Sequence, residues 1–395
     1  MVGAKLARAA AGALLCVLAA SAAAMPAPEP FTIDVIASET GPGAFFGQQT
    51  IDGLKAYENA ANASGGIHGQ PVHFEVHDDE SQPRVAVELE NAVLAKHPAI
   101  FLGGTVQATC NALAALAAGS TVMYCLSPGL VPEPRSYIFA ASTSLYHLVP
   151  ALFRFVRTSG HQRVGLLVTT DATGQRSDQL IDYTLKLPEN KALVVAGYEH
   201  FSDADISVAA QIARIKSADP QFLYVSAAGS PFQMVLHGIM DGGLGNIPII
   251  TSASNMTDRL LAPWAKDPPT QLLFNGPPFW GSGLGSDPRL RAAIAEYRAT
   301  YERMGAEQTP NDDYGWDPAK IVIDALRHVG TAATAAQIHD YIENLHGFPG
   351  IGGMYDFRSG DNHGLGDDAT IILQWDPAKS VFFPVSAPGG IAFRK

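Results

Sequence analysis

The chain has 395 residues, of which 47% are hydrophobic and 16% are charged, so it has enough apolar surface for large buried cores and is not an intrinsically disordered protein. The formal net charge is −12, and the sequence has no basic run beyond its N-terminus, which argues against a nucleic-acid-binding surface. The length predicts two domains or one large domain.

The first 24 residues have the pattern of a secretory signal peptide. Lys5 and Arg8 form a short basic region, residues 9–20 are apolar, and residues 22–24 are three alanines of the kind that signal peptidase recognises. The apolar stretch is shorter than the ~20 residues that a membrane-spanning helix needs. We therefore expect cleavage after Ala24 and export of the remaining chain to the periplasm.

Export would leave two cysteines in the chain, Cys110 and Cys125. An even number of cysteines in an oxidising compartment permits one disulfide, and two separate buried thiols are the alternative. The sequence has no C-x-x-C pair and no Cys/His spacing typical of a zinc site. We expect neither a metal nor a cofactor.

The first part of the exported chain alternates strands and helices. Each predicted strand is a short run of apolar or β-branched residues, and each predicted helix has apolar residues at helical spacing. In chain order, we predict a strand at 31–38, a helix at 48–63, a strand at 72–77, a helix at 83–95, a strand at 99–103, a helix at 109–118 and a strand at 121–126.

The alternation starts again further along the chain. We predict a strand at 163–169, a helix at 178–186, a strand at 192–198, a helix at 208–217, a strand at 222–226, a helix at 232–240, a strand at 248–251, helices at 287–303, 317–329 and 335–345, and a β-rich segment at 371–385. Two such runs predict the α/β class, with two doubly wound parallel sheets that are each covered by helices on both faces.

In doubly wound folds, small ligands bind beyond the carboxyl ends of the strands. That rule points to four loops, at residues 39–47, 103–109, 127–131 and 171–175. The second loop opens a helix, and the free N–H groups at a helix start attract a carboxylate. The sequence contains no G-x-S-x-G, H-E-x-x-H or G-K-S/T motif. We therefore expect ligand binding rather than catalysis.

Several segments resemble the branched-chain (Leu/Ile/Val) amino-acid type of periplasmic binding protein. They are T-G-P-x-A-x-F-G-Q at 40–48, N-x-x-G-G-I-x-G at 62–69, D-D-x-x-x-P-x-x-A at 78–86 and S-P-G at 127–129, and a segment at 201–207 fits as well. The resemblance is most specific in the N-terminal third and looser over the last hundred residues.

The resemblance implies a type I clamshell, in which the chain crosses three times between two lobes. We place the crossings near residues 142–144, 275–278 and 350–353. The expected domains are a signal peptide at 1–24, an N-terminal lobe of residues 25–143 plus 278–351, and a C-terminal lobe of residues 144–277 plus 352–395.

The resemblance also implies ligand contacts. The family's aromatic wall falls on Phe46, and its hydroxyl-bearing residue that binds the ligand carboxylate falls on Gln107. Contacts after the fourth strand fall on residues 127–129 and on Val131. The full set of candidate ligand-binding residues is Phe46, Gln107, Ala108, Ser127, Pro128, Gly129, Val131, Asp171, Thr173, Ala228 and Ser254.

The second half of this set departs from the family pattern. Amino-acid-binding members place a carboxylate after the last strand of the second lobe to hold the ligand ammonium group, but residues 252–255 here are Ser-Ala-Ser-Asn. The family's second-lobe aromatic falls near Ala228. Because a buried, unpaired ammonium group is costly, we expect aliphatic or aromatic acids without an amine to bind better than leucine or valine.

These inferences predict a monomeric periplasmic binding component of an ABC importer. It would capture a small organic carboxylate (an amino acid, keto acid or aromatic acid) as its solute and deliver it to an inner-membrane permease. It would have no nucleic-acid partner and would not be an enzyme. The alternative is a sensory ligand-binding protein that reports the solute to a signalling partner.

Overall fold

The computed structural model describes residues 28–117, 119–281 and 287–393. The signal peptide predicted at residues 1–24 lies outside the described residues. Across the described ranges, no helix combines the length and the apolar character that crossing a membrane requires.

The first lobe is built on a parallel sheet whose strands are short and largely buried, as expected for a sheet covered on both faces. Its elements are β1 (Phe31–Ala37), α1 (Ala44–Ala63), β2 (Val72–Asp78), α2 (Pro83–Leu94), β3 (Ile100–Gly103), α3 (Gln107–Ala114), β4 (Val122–Cys125) and β5 (Ile138–Ala140). The strand order is β2-β1-β3-β4-β5, and every pairing is parallel.

The chain then builds the second lobe. Its elements are α4 (Leu145–Thr158), β6 (Arg163–Thr169), α5 (Ala172–Leu185), β7 (Val194–Phe201), α6 (Ala209–Ser217), β8 (Phe222–Ser226), α7 (Ser230–Asp241), β9 (Ile249–Ser252), α8 (Asp258–Leu261) and β10 (Leu272–Gly276). The strands from β6 to β10 pair in parallel.

The last part of the chain contributes to both lobes. The elements α9 (Pro288–Met304), α10 (Asp313–Val329), α11 (Ala335–Glu343), β11 (His346–Pro349) and β12 (Met354–Asp356) supply residues to the core of the first lobe. They are followed by β13 (Ile371–Asp376), β14 (Val381–Pro384), β15 (Ser386–Ala387) and β16 (Ile391–Ala392). The second sheet has the order β14-β13-β10-β9-β8-β6-β7, in which β13 and β14 are antiparallel additions. The predicted fold of two doubly wound α/β lobes is confirmed, with this mixed edge as an addition.

The chain passes three times between the lobes. The connections run from β5 to α4, from β10 to α9, and from β12 to β13. The turn at 350–353, where we placed the third crossing, lies instead between β11 and β12. Ile351 and Tyr355 are completely buried in the core of the first lobe, and Phe357 packs in the same cluster. We therefore propose that the first lobe extends to residue 357, while the other predicted boundaries stay predictions.

Glu90 of α2 is an unusual acid in the core of the first lobe. It is fully buried, and neither carboxylate oxygen has a hydrogen-bond partner among the described residues. Burial raises the pKa of this carboxyl group from 4.5 to about 8. Because the folded state binds the proton more tightly than the unfolded state, this contribution to stability is complete below pH 4.5 and is lost as the pH rises through about 8.

We expect Glu90→Gln to raise the free energy of unfolding at pH 8.5 by about 1–3 kcal/mol, because the amide removes a buried charge. The advantage over the wild type should shrink towards pH 4.5. Urea unfolding at the two pH values measures the difference, with the exposed Glu88→Gln on the same helix as control. A stability difference that is the same at both pH values would contradict this account of Glu90.

Candidate ligand-binding site

Three loops of the first lobe meet at the carboxyl edge of its sheet. Strand β3 pairs with both β1 and β4, so the segments that follow these three strands are neighbours. The segments lead to Phe46, Gln107 and Ser127 in turn. The structure therefore brings the predicted first-lobe residues to one edge of the sheet.

Gln107 is the first residue of α3, and its side chain lies against Gly129. A β-carbon at Gly129 would lie 2.9 Å from Gln107 Oε1 and 3.0 Å from Gln107 Cβ, which is too close for most side chains. The Gly129 N–H donates to Ser127 Oγ at 3.4 Å. The absence of a side chain at 129 thus leaves the space that the Gln107 side chain occupies.

The start of α3 offers backbone donors. Within the described residues, no side chain caps this helix end, and the N–H of Cys110 donates to the carbonyl of Val106. The N–H groups of Gln107, Ala108 and Thr109 precede that bond and carry the partial positive charge of a helix N-terminus. Such a group of donors suits a carboxylate.

A disulfide joins two of these segments. Cys110 of α3 and Cys125 at the end of β4 are bonded, with their Cα atoms 5.8 Å apart. Both residues are fully buried. Of the two alternatives left open by the sequence, the structure contains the disulfide rather than separate thiols.

The remaining first-lobe candidates differ in exposure. Phe46 is half-buried in the first turn of α1, and its ring packs edge-on against Phe45 with the centroids 5.4 Å apart. Ala108 and Pro128 are also half-buried. Val131 is 48% exposed, so it lies at the rim of this surface in the conformation described.

In the second lobe, Asp171 caps the N-terminus of α5. Its Oδ1 accepts hydrogen bonds from Thr169 Oγ1 at 2.6 Å and from the Gly174 N–H at 2.8 Å. Asp171 and Thr173 are exposed, and Ala228 is half-buried in the loop between β8 and α7. Asp203 follows β7 as Asp171 follows the neighbouring strand β6, and burial together with the Asp171 carboxylate raises the pKa of Asp203.

The segment after β9 holds a polar residue that supports its neighbour loop. Asn255 is fully buried; its Nδ2 donates to the Ala227 carbonyl at 2.8 Å and to Thr251 Oγ1 at 3.0 Å. Its Oδ1 accepts from the Gly229 N–H at 3.0 Å. Asn255 therefore fixes the loop that carries Ala228, a role that no sequence motif indicates.

Ser254 makes a hydrogen bond across the cleft between the lobes. Its Oγ donates to Asn311 Oδ1 at 3.0 Å, and Asn311 Nδ2 donates to Gln49 Oε1 at 3.0 Å. Asn311 and Gln49 belong to the first lobe, and all three side chains are buried. Helix α3 also contacts α5 of the second lobe. The described conformation is thus closed, with its lobes in contact.

A polar cluster on β1 and the edge strand β2 lies apart from this cleft. Asp34, Glu75 and His77 come close enough to share a cation. Lys96 Nζ is 2.7 Å from Asp34 Oδ1, and His77 Nε2 is 2.8 Å from the same atom. Burial raises the pKa of Asp34, but the hydrogen bonds and charges of Lys96 and His77 together outweigh burial and lower the pKa overall. The Lys96 ammonium group therefore supplies the positive charge in this cluster.

The comparisons with known proteins agree with this architecture. The model of the periplasmic binding protein family matches residues 30–380, nearly the whole described chain. The chain belongs to the periplasmic binding protein family. This match confirms the family resemblance that the sequence motifs indicate.

Among curated relatives, the chain is 38% identical over 82 residues to the Leu/Ile/Val-binding protein BraC3 of Rhizobium johnstonii. That match covers 20% of this chain and 22% of the relative, so the chain matches about a fifth of the relative's length.

Solved structures of the same fold cover the chain far more completely. An extracellular ligand-binding receptor from Rhodopseudomonas palustris HaA2 has a TM-score of 0.77 at 20% identity and covers 90% of this chain and 99% of its own. LivJ of Streptococcus pneumoniae, in complex with isoleucine, has a TM-score of 0.71 at 16% identity, with 90% and 99% covered. LivK of Thermotoga maritima, a leucine-binding protein, has a TM-score of 0.71 at 17% identity, with 89% and 97% covered.

Proposed function

We propose that this periplasmic binding protein is the solute-binding component of an ABC importer and that it captures a small organic carboxylate without an amine. The ligand carboxylate would lie at the N-terminus of α3, near Ser127 and Gln107. Charge-assisted hydrogen bonds from several backbone N–H groups are among the stronger polar contacts in proteins. Phe46 would pack against the apolar part of the ligand, with an aromatic contribution of about 0.5–1.5 kcal/mol.

One observation carries the choice of ligand. Where amino-acid-binding members hold the ligand ammonium group, this chain has Ser254 and Asn255, and both side chains are hydrogen-bonded within the protein. Neither supplies a negative charge. A bound amino acid would therefore leave its ammonium group without an ionic partner, at a cost that an amine-free acid avoids.

The candidate side chains of the second lobe are also small. The family resemblance assigns ligand contacts to three second-lobe positions, and these positions hold Thr173, Ala228 and Ser254. Small side chains there favour a ligand whose body is broader than that of valine, which includes aromatic acids. Asp171, which the family resemblance also makes a candidate contact, is the acid that would bind an amine if the proposal is wrong.

A thermal-shift panel tests the proposal. Benzoate, 4-methyl-2-oxopentanoate, leucine and valine are compared at equal concentrations, because a ligand that binds only the folded state stabilises it by about 2.7 kcal/mol at one hundred times its Kd. We expect at least one of the two amine-free acids to raise the melting temperature, and Gln107→Ala to reduce that shift. A shift with leucine that exceeds the shifts with both acids, and that Asp171→Asn abolishes, would contradict the proposal.

A further inference from the structure

The Cys110–Cys125 disulfide lies beside the donors of the proposed carboxylate site. Cys110 is the fourth residue of α3, so it directly follows the three residues with free N–H groups. Cys125 precedes Ser127 by two residues, and its Sγ is 3.3 Å from the Ser127 carbonyl oxygen. The disulfide therefore ties the start of the helix to the turn at 127–129.

The loop before α3 packs against Cys110 of this disulfide. Gly104 has a positive φ of 77°, and a β-carbon there would lie 2.6 Å from the Cys110 N and 2.7 Å from its Sγ. The Cys110 Sγ is 3.0 Å from the Gly104 carbonyl oxygen, and the N–H of Leu126 donates to that same oxygen at 3.1 Å. The loop, the helix start and the end of β4 thus meet at one buried junction.

This junction also sets the position of Gln107. The Gln107 side chain packs on Gly129, so a movement of α3 relative to the turn at 127–129 would open or close that contact. Helix α3 has only eight residues. A short helix of this kind depends on tertiary contacts for its stability and its orientation.

We propose that the Cys110–Cys125 disulfide is a positioning element of the ligand site. It fixes the distance between the N–H groups of α3 and the turn that carries Ser127, so both sets of donors are directed at one carboxylate before it binds. Donors that are held in place lose less conformational freedom on binding, which strengthens the complex. This inference rests on the proposed function, because it assumes that a carboxylate binds there.

The test compares the wild type with Cys110→Ala/Cys125→Ala. Titration calorimetry at 15 °C measures the Kd for benzoate and for 4-methyl-2-oxopentanoate, and hydrogen exchange measures the amides of residues 107–109 and 127–129. We expect the Kd of the acid that binds to rise at least tenfold, and exchange at both segments to become at least several-fold faster. If this variant does not fold, Cys110→Val/Cys125→Ala, which restores lost volume, replaces it.

Val122→Ala is the matched control. Val122 is fully buried at the opposite end of β4, so its truncation destabilises the lobe without touching the junction. It should lower the melting temperature and leave the Kd unchanged. Unchanged Kd and unchanged exchange in the disulfide variant, or an equal loss of affinity in the control, would overturn the inference.

The two proposals fail in different ways. A wild type that binds neither acid contradicts the proposed function, and the exchange data then decide only whether the disulfide orders the two segments. Faster exchange confined to residues 107–109 and 127–129 would support the disulfide as the element that orders these segments, and unchanged exchange would overturn it.

Discussion

Replacing Asn311 with alanine should weaken ligand binding about tenfold, because it removes a hydrogen-bonded bridge between the two lobes. Asn311 links Ser254 of the second lobe to Gln49 of the first, and all three side chains are buried. A buried polar group that loses its partner costs about 1–3 kcal/mol, and 1.4 kcal/mol corresponds to a tenfold change in affinity. We expect ligand binding to be coupled to closure of the lobes, so this cost should appear in the Kd.

Calorimetry with the tightest-binding acid measures the affinity, and solution scattering with and without that acid measures the radius of gyration. The variant should need more ligand to reach the compact form. A double-mutant cycle with Ser254→Ala shows whether Ser254 acts through Asn311, in which case the double variant is no worse than either single one. Additive losses would instead indicate that Ser254 contacts the ligand. Unchanged affinity in Asn311→Ala would contradict the bridge.

Asp317→Ala should lower the free energy of unfolding by about 3 kcal/mol. Asp317 is fully buried in α10 and accepts hydrogen bonds from the N–H groups of Ile351 and Gly352, at 2.7 and 2.8 Å, and from the Tyr355 hydroxyl at 2.9 Å. Burial raises the pKa of this carboxyl group to about 6, so it is mostly ionised at neutral pH. Truncation would leave three buried donors without an acceptor.

Urea unfolding at pH 7.5 measures this loss. Asp317→Asn retains one acceptor oxygen and should lose about half as much stability, while Asp340→Ala, which removes an acid with a 74% exposed side chain, should change stability by less than about 0.5 kcal/mol. A change of the same small size in Asp317→Ala would show that the turn at 350–353 does not depend on this carboxylate.

Buried strands were the most predictable part of the fold. Strands β6 and β8 have the bounds that the sequence predicts, 163–169 and 222–226. Both are short, largely apolar runs with parallel neighbours on both sides, where burial on both faces of the sheet favours such runs. The alternation of these strands with helices was enough to predict two doubly wound lobes.

The starts of helices were less predictable. Glycines near these starts are required by close contacts with distant segments, which the local sequence does not reveal. Helix α1 begins at Ala44, four residues before the predicted start, and contains Gly47. A β-carbon on Gly47 would lie 1.9 Å from the Ser38 carbonyl oxygen, so this glycine lets the helix approach the preceding segment. Helix α10 likewise begins at Asp313 rather than at 317. A β-carbon on its Gly315 would lie 2.0 Å from the Thr50 carbonyl oxygen, so this glycine lets α10 approach α1 closely.

Prolines inside helices explain why α4 was not predicted and why the start of α10 was misplaced. The sequence pattern predicts no helix at residues 145–158, where α4 contains Pro150. In α10, Pro318 is typical of a first turn, which is why the predicted start fell at 317. In both helices, burial of the neighbouring apolar residues outweighs the hydrogen bond that proline cannot make.

The sequence predicted the part of the site that lies within the first lobe, but not the contacts between the two lobes. The neighbouring loops with Phe46, Gln107 and Ser127 follow from the rule that ligands bind at the carboxyl edge of a parallel sheet. The bridge between Ser254 and Asn311 joins residues that are 57 positions apart and lie in different lobes, and no local sequence pattern predicts it.

The direct test of the central claim is a calorimetric titration of the wild-type protein with leucine and with 4-methyl-2-oxopentanoate, which share a carbon skeleton and differ at the amine. If the site binds carboxylates without an amine, the keto acid should bind at least tenfold more tightly than leucine. Leucine binding more tightly than the keto acid would contradict this claim.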